Sequence, residues 1–395
     1  KFLTMSKIKF LDLGKQPIAN GFLDGIEDFE NEFFYNLSVG YDTDTSLITQ
    51  MDYVDKERMF NDSYAYRGSM SKTMTKHFKK VSKNLKQYLD SDPKVLEIGS
   101  NDGVFLKNWC QYNTFAVEPC GNFAEETNNM GYKTYADFWN METSNKILEE
   151  QYAMDLVFAA NCMCHIPDLD EAFSAVSNIL TDNGVFVFED PSAADMITMN
   201  SYDQIYDEHP HIFSVIALEK ILNRNNMSIV QVEHVNVHGG SNRIYAKKGL
   251  NNKEHESVAA NIQLEKNIGL DNIAIFNEFA YNVSESKQEL LDMLHKFKNK
   301  NKKVISYGAT SKSTTVFNYC DIGPDLIEYI TDTTPEKQGK YSPGMHIPII
   351  SPEEGFDNSV DFAFLGAWNF AEEIKKKEIY FKGRFFTHVP SVGFV

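Results

Sequence analysis

The 395 residues exceed what one hydrophobic core ordinarily organises, so two or three domains are expected. With 42% hydrophobic and 24% charged residues, the composition is that of a globular chain, and no apolar run approaches the roughly 20 residues that span a bilayer. A formal net charge of −18 argues against a general nucleic-acid binder, which needs a basic surface, while leaving room for a small anionic ligand held by a few local donors.

The opening residues, KFLTMSKIKF, lack the charged region, apolar block and small-residue cleavage site of a secretory leader, so none is expected. The 5 cysteines (Cys110, Cys120, Cys162, Cys164 and Cys320) are odd in number and scattered, which fits a reducing compartment and a cytoplasmic protein. Residues 1–85 hold short apolar runs broken by turn residues. They read as a few short strands and loops, followed by an exposed helix over residues 71–88.

From Lys94 the rhythm changes. KVLEIG, TFAVEP, MDLVFAA and GVFVFED are runs of strand length, and residues 120–130 and 169–180 between them read as helices. Such alternation implies a parallel sheet with crossovers. Cys162 and Cys164 are spaced wrongly for a CxxC knuckle and read as buried small hydrophobes at a strand end. SIVQVEH and NRIYAKK then read as antiparallel strands joined by a His-Gly-Gly turn. Residues 251–300 carry Phe276, Phe279, Val283, Leu290, Leu294 and Phe297 at helical spacing, which predicts one long amphipathic helix. From Lys303 strands return in KVISYGA, LIEYITD, HIPIISP, DFAFLGA and RFFTHV, a second and smaller α/β unit. Its first strand runs through Gly308 into Thr310-Ser311-Lys312, a turn that resembles a phosphate-contacting helix N-terminus.

VLEIGSNDGVFL (residues 95–106) is a buried strand ending in a glycine-bearing turn. Gly99 and Gly103 would let backbone approach a ligand, and Asn101 or Asp102 would meet a polar group on it. The GxGxxG of dinucleotide sites is absent. A second strand follows and ends at Glu118-Pro119, where nucleoside-binding α/β folds grip a ribose diol. With Glu97 and Asn161 at neighbouring strand ends, the set predicts a methyltransferase-type sheet binding S-adenosylmethionine at its carboxyl edge.

SYDQIYDEHPHIFS (residues 201–214) concentrates acid–base groups, and His165 lies upstream at the end of a sheet strand. Taken singly, His165 also reads as a core or capping histidine. Extended chain would put Tyr206 and Glu208 on one face and His209 on the other, whereas a turn would join Tyr206 to His209; the spacing leaves both open. Methylating carbon requires loss of a proton beside a carbonyl. Histidine is suited to take it, a hydroxyl or second imidazole to hold the enolate, and a glutamate to set the base's tautomer or raise its pKa.

Ordered motifs resemble those of the deoxysugar C-methyltransferases, which act on nucleotide-linked 4-keto sugars. LDLGKQPIANGFL (11–23), SYAYRGSMSKTMTKHF (63–78), EIGSNDG, CHIPDL (164–169), IYDEH (205–209), VHGGSNR (237–243), YGATSKSTT, TDTTPEKQGKYSPGMHIPI and AWNFAEEI (367–374) follow one another as in that family. The resemblance implies a Rossmann-like S-adenosylmethionine methyltransferase domain at residues 86–250. A small α+β domain precedes it at 1–85, and a second Rossmann-like α/β domain with its linker helix follows at 251–395. It makes His209 the base, with Tyr206, Glu208 and His165 around the ketone and Tyr66 closing over the sugar. Ser241, Arg243, Tyr307, Ser311, Lys312 and Lys337 would hold the nucleotide diphosphate.

Two departures qualify the likeness. The family's structural zinc, held by two CxxC pairs in the first domain, has no ligands here. No cysteine precedes Cys110, and Asp42 and Thr45 stand at expected cysteine positions, so no zinc is predicted. In the active loop Asp207 replaces a histidine, and Pro210-His211 replaces Phe-Ser. The reading is C-methylation, most simply at C3 of the sugar. O- or N-methylation of a related nucleotide sugar, or a binding homologue that has lost its chemistry, are the alternatives.

Overall fold

A computed structural model describes residues 6–395; residues 1–5, part of the stretch read for a leader, lie outside the described residues. Three sheets organise the chain. The largest has seven strands in the order Met227–Val235, Ser241–Lys248, Leu180–Pro191, Met154–Ala160, Val95–Ile98, Thr114–Val117, Lys133–Tyr135. The last five of these run parallel, and the Met227–Val235 and Ser241–Lys248 hairpin is antiparallel. Val95, Leu96, Glu97 and Ile98 are all buried, because helices cover both faces of the sheet. The hairpin turns at Val237-His238-Gly239-Gly240, where the three residues His238 to Gly240 take positive φ.

The strand Lys133–Tyr135 and the helix Met141–Gln151 were not singled out by pattern. At 3 residues the strand is too short to show alternation. The helix Leu169–Ile179 starts one residue after Asp168, whose carboxylate accepts from the Glu171 N–H at 2.9 Å. The expected exposed helix over 71–88 is Lys72–Leu85, and it is only half-exposed. Met74, Phe78, Val81 and Leu85 bury one face against Val95, Phe105 and Phe158.

A six-stranded sheet closes the chain in the order Ile349–Ile350, Ile330–Thr331, Val304–Tyr307, Phe362–Leu365, Arg384–Thr387, Gly393–Phe394. All of its pairings are parallel except the last. The single long helix expected over 251–300 is two, Glu256–Ile268 and Ile273–Asn299. Gly269 caps the first at φ 97, and the Asn272 side chain starts the second by accepting from Ala274 N–H. The Gly-Leu-Asp-Asn link between them carries the break, and the apolar period from Phe276 onward does not reach it.

The first sheet has four strands, Lys7–Pro17, Phe34–Asp42, Ile48–Gln50 and His211–Ile212. Its edge strand comes from the active loop, so the loop carrying Tyr206 to His209 is stitched to the N-terminal segment. Gln50 Nε2 donates to the carbonyls of Tyr206 and His209 at 2.7 and 2.9 Å. The N-terminal segment also reaches the last sheet: Leu23 and Tyr341 exchange backbone bonds, and Glu32 receives Gly344 N–H and pairs with His346. Among the described residues no helix is long and apolar enough to cross a membrane.

Candidate active site

One continuous cavity of about 780 Å³ runs from the carboxyl edge of the seven-stranded sheet to that of the six-stranded sheet. Carboxyl edges are where open parallel sheets hold ligands, and here two such edges face one another.

At the first end the turn after Val95–Ile98 presents Gly99, Ser100 and Asn101 to the cavity. Gly99 has φ +72, and a Cβ there would lie 2.8 Å from Cys162 Sγ, so only glycine fits. Glu118 is buried and accepts from Asn101 N–H at 2.7 Å and Cys120 N–H at 2.9 Å, with lone pairs left for a diol. Burial still raises its pKa. Burial, with Glu118 and Asp102 nearby, pushes Glu97 well up, and its Oε2 has no partner in the protein. An orphaned buried acceptor and a backbone that excludes a side chain both fit a polar, nucleoside-sized ligand. Pro119 and Asn161 line the same end.

Three cofactor assignments shift. Asn101 accepts from Gly68 N–H at 2.9 Å and donates to the Tyr66 carbonyl at 3.0 Å. Asp102 accepts from Ser69 N–H and from its hydroxyl, the latter at 2.5 Å. Both side chains therefore latch the segment Tyr66–Ser69 over the turn and do not themselves reach for a ligand. Gly103 does not line the cavity; a Cβ there would meet Thr127 Cγ2 at 3.0 Å, so it serves helix packing. Tyr66 faces the cavity through this latched segment.

In the middle of the cavity the open question of the active loop is resolved. The chain turns, with His209 N–H donating to the Tyr206 carbonyl, and Tyr206 Oη lies 2.9 Å from His209 Nε2. His209 Nδ1 is 2.7 Å from the Gln204 carbonyl, which can only accept. Nδ1 therefore carries the proton, and Nε2 is a bare base that accepts from the phenol. Burial, with His165 and Lys312 nearby, holds the imidazole's pKa well below its ordinary value, so it is neutral at neutral pH. Burial pushes the Tyr206 phenol well up, with Glu208 adding to it. It is a donor, never a base.

The expectation that Glu208 sets the base's tautomer is not met. Glu208 turns away and accepts from Asn20 Nδ2 at 2.5 Å and Tyr64 Oη at 2.8 Å; the Gln204 carbonyl does the tautomer work. Burial raises the pKa of Glu208, and raises that of neighbouring Asp207 further. His165 stacks between Phe60 and His209, at 5.4 and 5.2 Å, and its Nε2 is unpartnered. Burial lowers its pKa to about 3, and does the same to His238, which lines the cavity at the hairpin turn. The family-like motifs contained Asn20, Tyr64 and His238, but residue type alone did not mark them. Gln204 acts through its backbone, which no side-chain pattern reveals.

Cys164, His165 and His209 offer ligand atoms within 4.8 Å of one another, a group able to meet a metal. Against this, burial and nearby Asp190 push the Cys164 thiol well up, whereas a metal takes the thiolate. Cys164 is buried as expected; Cys162 is only half-buried and lines the cavity.

Tyr307, Gly308, Thr310, Ser311, Lys312 and Lys337 line the cavity from the six-stranded sheet, with Lys312 reaching near His209. Thr310 caps the helix Ser311–Cys320 by accepting from Ser313 N–H. Lys337 Nζ donates to the Ala309 carbonyl at 2.7 Å, and the Tyr307 hydroxyl is spent on Glu378 at 2.6 Å. Ser241 and Arg243 are outside the cavity. Ser241 Oγ donates to the Val237 carbonyl. Arg243 binds Glu189 and Glu233, each at 2.6 Å, and His77 holds the other oxygen of Glu189. That buried network is structural, and neither residue is placed to touch a ligand.

A seven-stranded sheet with one antiparallel hairpin, a glycine turn and an acidic strand end define an S-adenosylmethionine-dependent methyltransferase. A methyltransferase-domain family model matches residues 66–232, and a model of the C-methyltransferase C-terminal domain matches 236–390. C-methyltransferase NovU of Streptomyces niveus is 29% identical over 389 residues, covering 96% of this chain and 92% of that one. Both models match in order, and the similarity to that C-methyltransferase runs through nearly the whole chain. Among solved structures, an S-adenosylmethionine-dependent methyltransferase from Clostridium acetobutylicum is 18% identical with a TM-score of 0.35, covering 45% of this chain and 92% of that chain. The CurJ carbon methyltransferase is 16% identical with a TM-score of 0.35, covering 48% and 57%.

Proposed function

We propose that the protein methylates a carbon of a nucleotide-linked 4-keto-deoxysugar, at C3, with His209 as the base. The observation that carries this reading is the bare Nε2 of His209, oriented by the Gln204 carbonyl and opening on the cavity that also contains Gly99 and Glu118. S-adenosylmethionine, when bound, supplies an electrophilic methyl group on a sulfonium.

The residues divide the work by position. Glu97, Gly99, Glu118, Pro119 and Asn161 receive the nucleoside end. His209 Nε2 takes the proton from the sugar carbon. The Tyr206 hydroxyl, displaced from Nε2 by substrate, turns to the developing oxyanion. His165 and Tyr66 wall the reacting centre against water. Ser311 and Lys337, on the side of the six-stranded sheet, meet the phosphates. The same reading divides the chain into domains at 1–85, 86–250 and 251–395 and puts the protein in the cytoplasm.

The test is proton exchange without methyl transfer. In deuterium oxide, thymidine diphosphate 4-keto-6-deoxyglucose should gain deuterium at C3 on the wild-type protein. His209→Ala should lose about 10²–10⁴-fold of that rate. Exchange that persists in His209→Ala removes the base. Methyl transfer to oxygen or nitrogen without carbon exchange replaces the reading, and no heat on titration with S-adenosylmethionine would leave only a binding protein.

A further inference from the structure

Lys312 is 8% exposed, lines the cavity, and sits in the first turn of the helix Ser311–Cys320. That turn is pinned to the active loop and to the N-terminal segment: Thr315 Oγ1 donates to the Ile205 carbonyl at 3.1 Å, and Thr314 Oγ1 to the Ala19 carbonyl at 3.0 Å. The ammonium thus stands near His209, Glu208, His238 and Asp203, and Lys337 shares its proximity to Glu208. Lys337 spends a donor on the Ala309 carbonyl, but among the described residues the ammonium of Lys312 has no acceptor of its own. Burial lowers the pKa of Lys312 while Asp203 and Glu208 hold it up, and an ammonium lining a reaction cavity with no hydrogen-bond acceptor in the protein has donors free for an anion that forms there.

We propose that Lys312 is a catalytic residue, holding the ketone oxygen of the substrate as it becomes an enolate; this rests on the carbon-methylation reading above. The chemistry of the base calls for such a group. Burial makes His209 a weak base. A weak base lifts a carbon-bound proton only if the carbon acid is strengthened, and a cation at the carbonyl oxygen does that. The step balances as follows. The C–H electron pair moves into the C–C bond and the carbonyl pair onto oxygen, while the proton goes to His209 Nε2. The enolate carbon then bonds to the methyl group as the methyl–sulfur bond breaks, leaving a neutral thioether. The carbonyl re-forms, Lys312 keeps its proton throughout, and His209 releases its extra proton to water.

The experiment separates an oxyanion partner from a phosphate anchor. Lys312→Met keeps the length of the side chain and removes its charge. Two quantities are measured on it: deuterium gain by thymidine diphosphate 4-keto-6-deoxyglucose without methyl donor, and calorimetric Kd for thymidine diphosphate alone. The expected result is a fall in exchange of about 10²–10³-fold with nucleotide Kd changed by less than about threefold. A nucleotide Kd weakened about tenfold or more, or exchange kept within about threefold, overturns the proposal. Kd for S-adenosylmethionine reports folding. If Lys312→Met does not fold, Lys312→Arg keeps charge but displaces the donor, and must show the same split between exchange and nucleotide binding. Absence of exchange in the wild-type protein indicts the carbon-methylation reading itself, not the role of Lys312 within it.

Discussion

Replacing Gly99 by alanine tests the cofactor turn through two separable penalties. The first is backbone: φ is +72, and a Cβ in the left-handed region costs about 1–2 kcal/mol. The second is overlap with Cys162, whose Sγ and Cβ would lie 2.8 and 3.1 Å from the new methyl; forcing a carbon into packed space costs about 1–3 kcal/mol. Together Gly99→Ala should lose about 2–5 kcal/mol of local stability. Because the turn also carries Asn101 N–H to Glu118, the disturbance reaches that carboxylate. Calorimetric titration should then show Kd for S-adenosylmethionine weakened by about tenfold or more, 1.4 kcal/mol. Adding Cys162→Ala removes the sulfur and should return most of the overlap share while leaving the backbone share, a coupling read from the double-mutant cycle. Kd within about twofold of wild type in Gly99→Ala would refute the close-approach argument. No recovery in the double variant would refute the assignment to Cys162.

Three further outcomes are expected. Because His209 must be neutral to act and its folded pKa lies below the ordinary 6.5, kcat/KM should stay flat from about pH 8 to pH 6 and fall only below that; an acid limb centred at 6.5 or above contradicts the buried-base geometry. Arg243→Ala should destabilise the protein by about 3–5 kcal/mol, since it strands Glu189 without its guanidinium, while thymidine diphosphate Kd in the folded fraction stays within about twofold; denaturant melts and calorimetry check both. Tyr206→Phe should leave S-adenosylmethionine binding intact and slow exchange, because it removes a donor that the Nε2 of His209 and then the oxyanion use in turn.

What the sequence made legible follows from which interactions are local. Strands buried on both faces, such as Val95–Ile98 and Met154–Ala160, are continuous apolar runs, and the turn that ends the first is written in its glycines; both are visible in one window of chain. The helix break at Gly269 was hidden because the apolar period begins only at Phe276, in the second helix, and the cap at Gly269 marks the stop. The site was half legible for the same reason. Tyr206 and His209 meet across three residues, and any turn would join them. The partners that decide roles come from 144 to 188 residues away: Tyr64 and Asn20 draw Glu208 off the base. Arg243 has by residue type the chemistry of a phosphate ligand, and only the fold shows that Glu189 and Glu233 have already taken its Nε and Nη1. Lys312 is the opposite case. Its sequence context, a helix N-terminus after a glycine turn, argues for phosphate, yet two hydroxyls tie its helix to Ile205 and Ala19, against the active loop. Residue type supplies the menu of chemistry; long-range hydrogen bonds choose from it.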